Sequence, residues 1–256
     1  MLTSFETFTE QLWRSWLDGE LSLSAALTQR FDLEAAPEPY LRFEAGDRPL
    51  VALTTNPGGT LPFQRRAVVL SNTDVLRETM TYQEASSVLG QHYRQLLQRK
   101  AAGRRIENLL TLARDRSATG VVQVEVCPFH SRSLPKKDTL VSELVNDELT
   151  KQYLAHVREY LRDRPVVIVA AISSSKTLSA DLTLSPWLAW KAEVAGMYID
   201  KSTRFVPLVT KQDKVTCAAL LSPRGAVPKS LVLMMGSNQL PGTEGLKRLS
   251  EHFGEA

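Results

Sequence analysis

The sequence contains only two cysteines, Cys127 and Cys217, among its 256 residues. Two thiolates cannot complete a four-cysteine zinc or iron–sulfur site. Both cysteines lie in apolar, strand-like contexts, which favours buried free thiols in a reducing cytoplasm. The four histidines show no spacing typical of a metal site. We therefore expect neither a metal nor a cofactor.

Long apolar runs are absent as well. No stretch reaches the roughly 18 residues that a transmembrane helix requires. The first residues, MLTSFETFTEQLW, lack the basic region and the apolar core of a signal peptide. The net charge of +3 permits an anionic partner without requiring one. These features predict a cytoplasmic protein without membrane contacts.

Several phosphate-binding and nucleophile motifs are also missing. No G-x-G-x-x-G follows the first predicted strand and no P-loop lysine is present, which argues against dinucleotide and P-loop enzymes. An S-x-x-K runs from Ser173 to Lys176, but the accompanying β-lactamase motifs and a nucleophile elbow are absent. A site in this chain must therefore use other residues.

The sequence does contain apolar runs of strand length that alternate with amphipathic segments of helix length. Four runs are typical of buried strands, and each ends in a polar loop: 50–55, 121–126, 166–171 and 231–235. This alternation predicts a three-layer α/β/α fold with a central, mainly parallel four-stranded sheet. We expect one domain over residues 1–256, with residues 1–45 as an N-terminal helical extension packed on it.

The loops after these strands are the predicted site, because ligands bind beyond the carboxyl ends of parallel strands. In TTNPGG, Asn56 can hold a water molecule by hydrogen bonds without ionising. Pro57 restricts the backbone, and Gly58 and Gly59 let another molecule approach closely. This arrangement suits a hydrolysis in which the leaving group departs early, such as cleavage of a nucleoside N-glycosidic bond. A simple turn is the alternative.

Two of the loops resemble motifs of the uracil-DNA glycosylase superfamily. LVALTTNPGG is similar to its first motif, nearest the G-I-N-P-G form of the mismatch-specific uracil/thymine glycosylases. GSNQLPG resembles the second motif, H-P-S-P-L-S or N-P-S-G-L-S. Thr54 and Thr55 replace the glycine that usually precedes the first motif, and Gly236 stands where His or Asn is usual. The resemblance covers about residues 50–242.

This resemblance implies a DNA glycosylase that flips a base out of the stack and hydrolyses its N-glycosidic bond. In that mechanism Asn56 aims the water at the sugar C1′, and Pro57 and Gly58 contact the base. Phe63 would stack on the extruded base, and Leu240 would fill the gap left behind. The alternative for Phe63 is an ordinary core residue. The partner is single- or double-stranded DNA, bound by a monomer.

The strand and loop QVEVCPFHS occupy the place that reads the base in the family. Gln123 and Glu125 share one face of the strand, and His130 and Ser131 follow at its end, where they could touch base or phosphate. An ionised Glu125 would accept from the N4 amino group of cytosine and repel the O4 of uracil. We therefore expect a cytosine-derived, modified base, as in superfamily members that defend bacteria against phage. For Glu125 the alternative is a carboxylate paired within the fold, and for His130 a hydrogen-bonded loop histidine.

The remaining predicted contacts are to the DNA backbone. Hydroxyls and backbone N–H groups at the start of a helix can hold a phosphate, and a nearby lysine adds charge. A basic helix face could follow the DNA, although a solvated face is equally compatible. The residues assigned to DNA are Ser173, Ser174, Ser175, Lys176, Asn238, Gln239 and Leu240, with Arg99, Lys100, Arg104 and Arg105 as the basic cluster.

Two other functions remain open from the sequence. One is a hydrolase of free nucleosides or nucleotides on a similar sheet. The other is a catalytically inactive glycosylase-like module that only binds DNA. Strong salt dependence of binding to long DNA would favour a DNA-binding role over a nucleoside hydrolase, and formation of abasic sites would then distinguish an enzyme from a module.

Overall fold

Strands and helices alternate along the described part of the chain. The computed structural model describes residues 3–33, 35–44, 46–55, 80–97, 101–115, 118–131, 139–171, 186–197, 205–211, 214–220 and 231–235. The helices are α1 (Ser4–Leu17), α2 (Ala25–Thr28), α3 (Tyr82–Leu97), α4 (Ala101–Asp115), α5 (Thr139–Asn146), α6 (Glu148–Leu161) and α7 (Pro186–Val194). The strands are β1 (Tyr40–Arg42), β2 (Leu50–Thr54), β3 (Val121–Glu125), β4 (Val166–Ala171), β5 (Phe205–Lys211), β6 (Lys214–Leu220) and β7 (Leu231–Met235).

The described strands form one mixed sheet in the order β1-β3-β2-β4-β7-β6-β5. Its centre, β3-β2-β4-β7, is parallel throughout. Strand β1 pairs antiparallel at one end, and β6 and β5 pair antiparallel at the other. The four expected parallel strands are therefore present, but the described sheet has seven strands and is mixed rather than mainly parallel, because three of its six strand pairs are antiparallel. Antiparallel strands extend the sheet on both sides.

Strand β1 is not expected from the sequence, whereas the runs STRFVPLVT and KVTCAALLS do indicate the short strands β5 and β6. Strand β1 lies in AAPEPYLRFEAGDRP, which reads as a proline-rich connection. Three residues are too few for a recognisable alternation of polar and apolar side chains. The strand forms because its backbone pairs with β3, where Tyr40 lies opposite Val124 and Arg42 lies opposite Val122.

One face of the central strands carries the main hydrophobic core. Val51, Leu53, Val122 and Ile168 project from this face and are buried together with side chains of several helices. Helix α1 takes part directly and packs against α6. The aromatic residues of this cluster include Phe5, Phe8, Trp13, Tyr40, Tyr82, Tyr153 and Tyr160. Residues 1–45 thus contribute α1 and, through Leu27, α2 to the core, and one strand to the sheet.

The opposite face of the same strands is buried as well. Leu50, Ala52, Val121 and Val167 alternate with the core residues and are all shielded from solvent. Helix α4 contacts β3. Burial on both faces explains why these strands read as continuous apolar runs, as is typical of parallel strands inside an α/β protein.

The sequence from Leu140 to Leu161 is typical of one helix, but in the structure it is divided at Asp147. The Asp147 carboxylate accepts a hydrogen bond from the backbone N–H of Thr150 at 3.0 Å and so caps the start of α6. Its other oxygen accepts from the N–H of Ser24 at 3.0 Å. One carboxylate therefore starts a new helix and also attaches the segment before α2.

Candidate functional site

The order of the parallel strands defines where a ligand can bind. The chain passes from β2 to β3 on one side of β2, and then to β4 on the other side. The connection that leaves β2 and the connection that leaves β3 therefore run in opposite directions along the sheet, and the point of reversal lies between β2 and β4. In open α/β sheets, a crevice for ligands forms at such a switch point, beyond the carboxyl ends of the strands. The predicted Asn56 loop follows β2, and the predicted Ser173–Lys176 loop follows β4.

Glu125 lies at this edge of the sheet, as the last residue of β3. Its partner in the parallel ladder is Thr54, two residues before Asn56. The pairing continues one step further, because the N–H of Cys127 donates to the carbonyl of Thr55 at 2.9 Å. The base of the Asn56 loop is thereby attached to the segment that follows Glu125.

The Glu125 side chain is enclosed by protein, with an exposed fraction of 2%. The amide nitrogen of Gln123 donates to its Oε1 at 2.7 Å, which confirms that the two side chains share a face. The hydroxyl of Thr54 donates to the carbonyl of Val124 at 3.1 Å. Among the described residues, Oε2 of Glu125 has no hydrogen-bond partner. A buried carboxyl oxygen without a partner is costly unless it is protonated or meets a ligand.

Burial raises the pKa of Glu125 from 4.5 to about 7. The cause is loss of water around the charged form, to which the nearby Glu38 carboxylate adds repulsion. The Thr54 hydroxyl, which lies near the carboxyl group but donates its own hydrogen bond to Val124, lowers the pKa, as do the Gln123 amide and the positive charge of Lys191. The group is therefore distributed between acid and carboxylate near neutral pH. The expectation of a fully ionised Glu125 therefore changes to a mixture of acid and carboxylate, because desolvation outweighs the local hydrogen bonds.

A second buried carboxylate, Glu38, belongs to the same region. Its Oε1 accepts from the hydroxyl of Tyr93 at 3.2 Å and lies 3.3 Å from Nε2 of His130. The chain around Glu38 is attached to the end of β3, since the N–H of Glu125 donates to the carbonyl of Pro39 at 3.0 Å. These contacts place two carboxylates, a histidine and a tyrosine beside the strand end.

His130 is positioned by this network. Its ring is 2% exposed, and its carbonyl accepts from the N–H of Asp32 at 2.9 Å. Ser131 beside it is also buried. Burial against Glu38 favours the hydrogen-bonded loop histidine over a residue that touches a DNA phosphate from the surface.

Most of the predicted site lies outside the described residues. This holds for Asn56, Pro57, Gly58, Gly59, Phe63, Ser173, Ser174, Ser175, Lys176, Asn238, Gln239 and Leu240, and for Arg99 and Lys100 of the basic cluster. Of the predicted set, the structure shows Gln123 and Glu125 in contact, and it places His130 against Glu38.

Sequence reasoning missed Glu38, Tyr93 and Lys191. Glu38 stands between two prolines in a stretch that resembles a loop, yet the structure buries it. Tyr93 looks like one more apolar position of α3. Lys191 did offer a signal, because this charged residue directly follows the apolar stretch PWLAW. The structure buries it, and a buried lysine is rare without a specific environment.

No group of three or more histidine, cysteine, aspartate or glutamate side chains is arranged for a metal ion in the described ranges. Within the same ranges, no helix is both long and apolar enough to cross a bilayer. A comparison of the chain with models of known protein families, with curated proteins and with solved structures finds no match.

Proposed function

We propose that this protein is a DNA glycosylase of the uracil-DNA glycosylase type. It hydrolyses the N-glycosidic bond of a flipped-out, cytosine-derived base and leaves an abasic site. In this proposal Asn56 aims the water, and Gln123 and Glu125 face the base. The three-layer glycosylase fold, the single-domain organisation and the monomeric state are part of the same proposal.

The observation that carries the proposal is Glu125. A buried carboxyl group with a raised pKa and an oxygen without a partner lies at the edge of the sheet where ligands of α/β proteins bind. Its ladder partner Thr54 leads within two residues to the NPGG motif. An acid whose pKa is shifted by burial and by specific charged neighbours is a candidate for a functional site.

The strand order supports the same assignment. The NPGG motif follows β2 and the SSSK motif follows β4, the two strands on either side of the switch point. Two motifs of different chemistry, one suited to aiming water and one suited to holding phosphate, thus follow neighbouring strands in the sequence. A nucleotide within DNA has a glycosidic bond and phosphates within a few ångströms of each other.

The direct test uses a panel of oligonucleotides, each with one uracil, thymine, 5-methylcytosine, 5-hydroxymethylcytosine or glucosylated 5-hydroxymethylcytosine. Each is offered as a single strand and as a duplex, and abasic sites are revealed by alkali cleavage. We expect cleavage at a cytosine derivative and slow release of uracil. Rapid release of uracil alone would return the protein to ordinary uracil repair. Hydrolysis of free nucleosides without any action on DNA would identify the nucleoside hydrolase instead.

Replacement of the water-aiming residue tests the mechanism. Asn56→Ala should lower the excision rate on the order of a hundredfold, because the attacking water is no longer held in place. DNA binding and the melting temperature should change little, since surface polar substitutions usually cost under about 0.5 kcal/mol. The matched control is Asn146→Ala, which removes an exposed amide at the end of α5. Excision by Asn56→Ala at the rate of this control would refute the role.

A further inference from the structure

We propose that Glu125 is the general acid of the reaction and donates the proton on its Oε2 to the ring nitrogen N3 of the departing base. This inference rests on the proposed glycosylase function and deepens it. It changes Glu125 from a residue that recognises the base into one that activates it for departure.

The geometry assigns different roles to the two carboxyl oxygens. Oε1 accepts from the Gln123 amide at 2.7 Å and therefore acts as the acceptor oxygen of the acid. Oε2 is buried and has no hydrogen-bond partner among the described residues. A proton on the carboxyl group is most favourable on Oε2, because a proton on Oε1 would compete with the N–H of Gln123. The protonated side chain thus presents a donor to whatever occupies the site.

A base of the cytosine type matches this donor. Its N3 is an unprotonated ring nitrogen that accepts, and its N4 amino group donates. Oε2–H of Glu125 can donate to N3, and the second lone pair of Oε1 can accept from N4. Uracil presents N3–H to the same oxygen, so two donors would face each other. Gln123 therefore controls the preference, because its N–H keeps Oε1 an acceptor.

The reaction balances without any further reagent. As the bond between C1′ and N1 breaks, its electron pair passes into the base, and the proton of Glu125 moves to N3. The base leaves as a neutral tautomer instead of an anion. Water adds to C1′, and the proton it releases restores the acid form of Glu125. The sum is one water consumed and one glycosidic bond replaced by a hydroxyl at C1′.

The surroundings of Glu125 make both protonation states accessible. Glu38, from the segment before β1, disfavours the carboxylate, and Lys191 of α7 favours it. Tyr153 of α6 donates to the backbone carbonyl of Glu125 at 2.5 Å, and burial raises its pKa well above the ordinary value, so it stays neutral. Burial likewise raises the pKa of Cys127 to about 12, which keeps its thiol neutral. The proton is therefore exchanged at Glu125 while these two neighbours remain unchanged.

The experiment compares the wild type with Glu125→Gln on two DNA substrates. One contains cytosine or its most reactive derivative from the panel, and the other contains the 5-fluoro analogue, whose base departs more easily. For the wild type we expect the excision rate to fall about tenfold per pH unit above pH 7. Glu125→Gln should lose about a hundredfold on the first substrate, less than about tenfold on the second, and all of this pH dependence. Glu20→Gln, an exposed carboxylate, is the matched control and should match the wild type.

A second measurement reads the proton directly, without catalysis. In the infrared spectrum, the wild type should show the carbonyl band of a buried protonated acid at pH 6 that disappears by pH 8 and is missing in Glu125→Gln. Absence of this band overturns the inference, as does an equal loss by Glu125→Gln on both substrates. A wild type that excises no base from any DNA overturns the proposed function instead, whatever the band shows.

Discussion

Glu125 illustrates at the scale of one residue how a fold makes a carboxyl group useful at neutral pH. In water the acid would be fully ionised, but its enclosure beside β2 removes the hydration that stabilises the charge. The Gln123 amide compensates one oxygen only. The protein therefore retains a group that can both donate and accept a proton under ordinary cellular conditions.

The same residue predicts a dependence of stability on pH. Burial raises the pKa of Glu125 from its ordinary 4.5 to about 7, so the folded state binds more protons than the unfolded state between these values. Its contribution to stability is complete below pH 4.5 and is lost as the pH rises to about 7, by about 3 kcal/mol in total. Urea unfolding of the wild type and Glu125→Gln at pH 5 and pH 8 should show this difference. Parallel profiles for the two proteins would contradict it.

Alternation along the strand was enough to predict that Gln123 and Glu125 share a face, since side chains of a strand alternate regardless of context. The protonation of Glu125 was not predictable in this way. It depends first on burial and then on charges such as those of Glu38 and Lys191, which are 87 and 66 residues away in the sequence, as their residue numbers show. A single sequence gives no measure of how much water such distant groups exclude.

At the scale of elements, a glycine allows helix α3 to pack closely against the sheet. A Cβ atom added at Gly90 would overlap the carbonyl oxygen of Arg42 in β1. No side chain of any other residue type fits at this position, so the helix and the outer strand can approach closely. The contact attaches α3 to β1. The residue directly before β1, Pro39, accepts the hydrogen bond from the N–H of Glu125.

We therefore expect Gly90→Ala to destabilise the protein by about 1–3 kcal/mol through overpacking. At an unconstrained helix site the same change would stabilise by up to about 1 kcal/mol, because alanine favours helices. Whether Gly90→Ala lowers or raises the stability therefore shows whether α3 and β1 are in close contact. Gln91→Ala, at the exposed neighbouring position, is the control and should stay within about 0.5 kcal/mol of the wild type in urea unfolding. A gain in stability for Gly90→Ala would show that α3 is not seated on β1.

Strands with continuous apolar runs were predicted closely, and β4 and β7 have the expected bounds. Their signal is local, because β-branched and apolar residues are bounded by turn-forming ones. Elements set by distant partners were not predicted. Asp147 divides a helix whose apolar periodicity continues through it, and β1 exists through its pairing with β3.

At the scale of the whole molecule, α1 is part of the main core. Trp13 is almost fully buried and lies against Trp16 and Tyr82, with ring centres 5.2 and 5.5 Å away. An ion pair between Glu6 and Arg42 attaches the same helix to β1. The N-terminal segment therefore stabilises the region that carries the candidate site.

Trp13→Ala should accordingly lower the free energy of unfolding by about 3–5 kcal/mol, because a large cavity would remain in the core. Chemical denaturation followed by circular dichroism measures the change. Gln11→Ala, on the exposed side of α1, should have little effect. If the two variants unfold alike, α1 does not share in the cooperative core.

The two outer strands of the described sheet have a consequence for self-association. Strand β1 is only three residues long, and β5 contains Pro207, which has no backbone N–H, with shifts of register around Val209. A foreign strand needs a regular row of unpaired backbone groups on which to add. Neither border offers a long uninterrupted row. Copies of this chain should therefore be poor templates for one another, and concentrated solutions should resist the growth of cross-β fibrils.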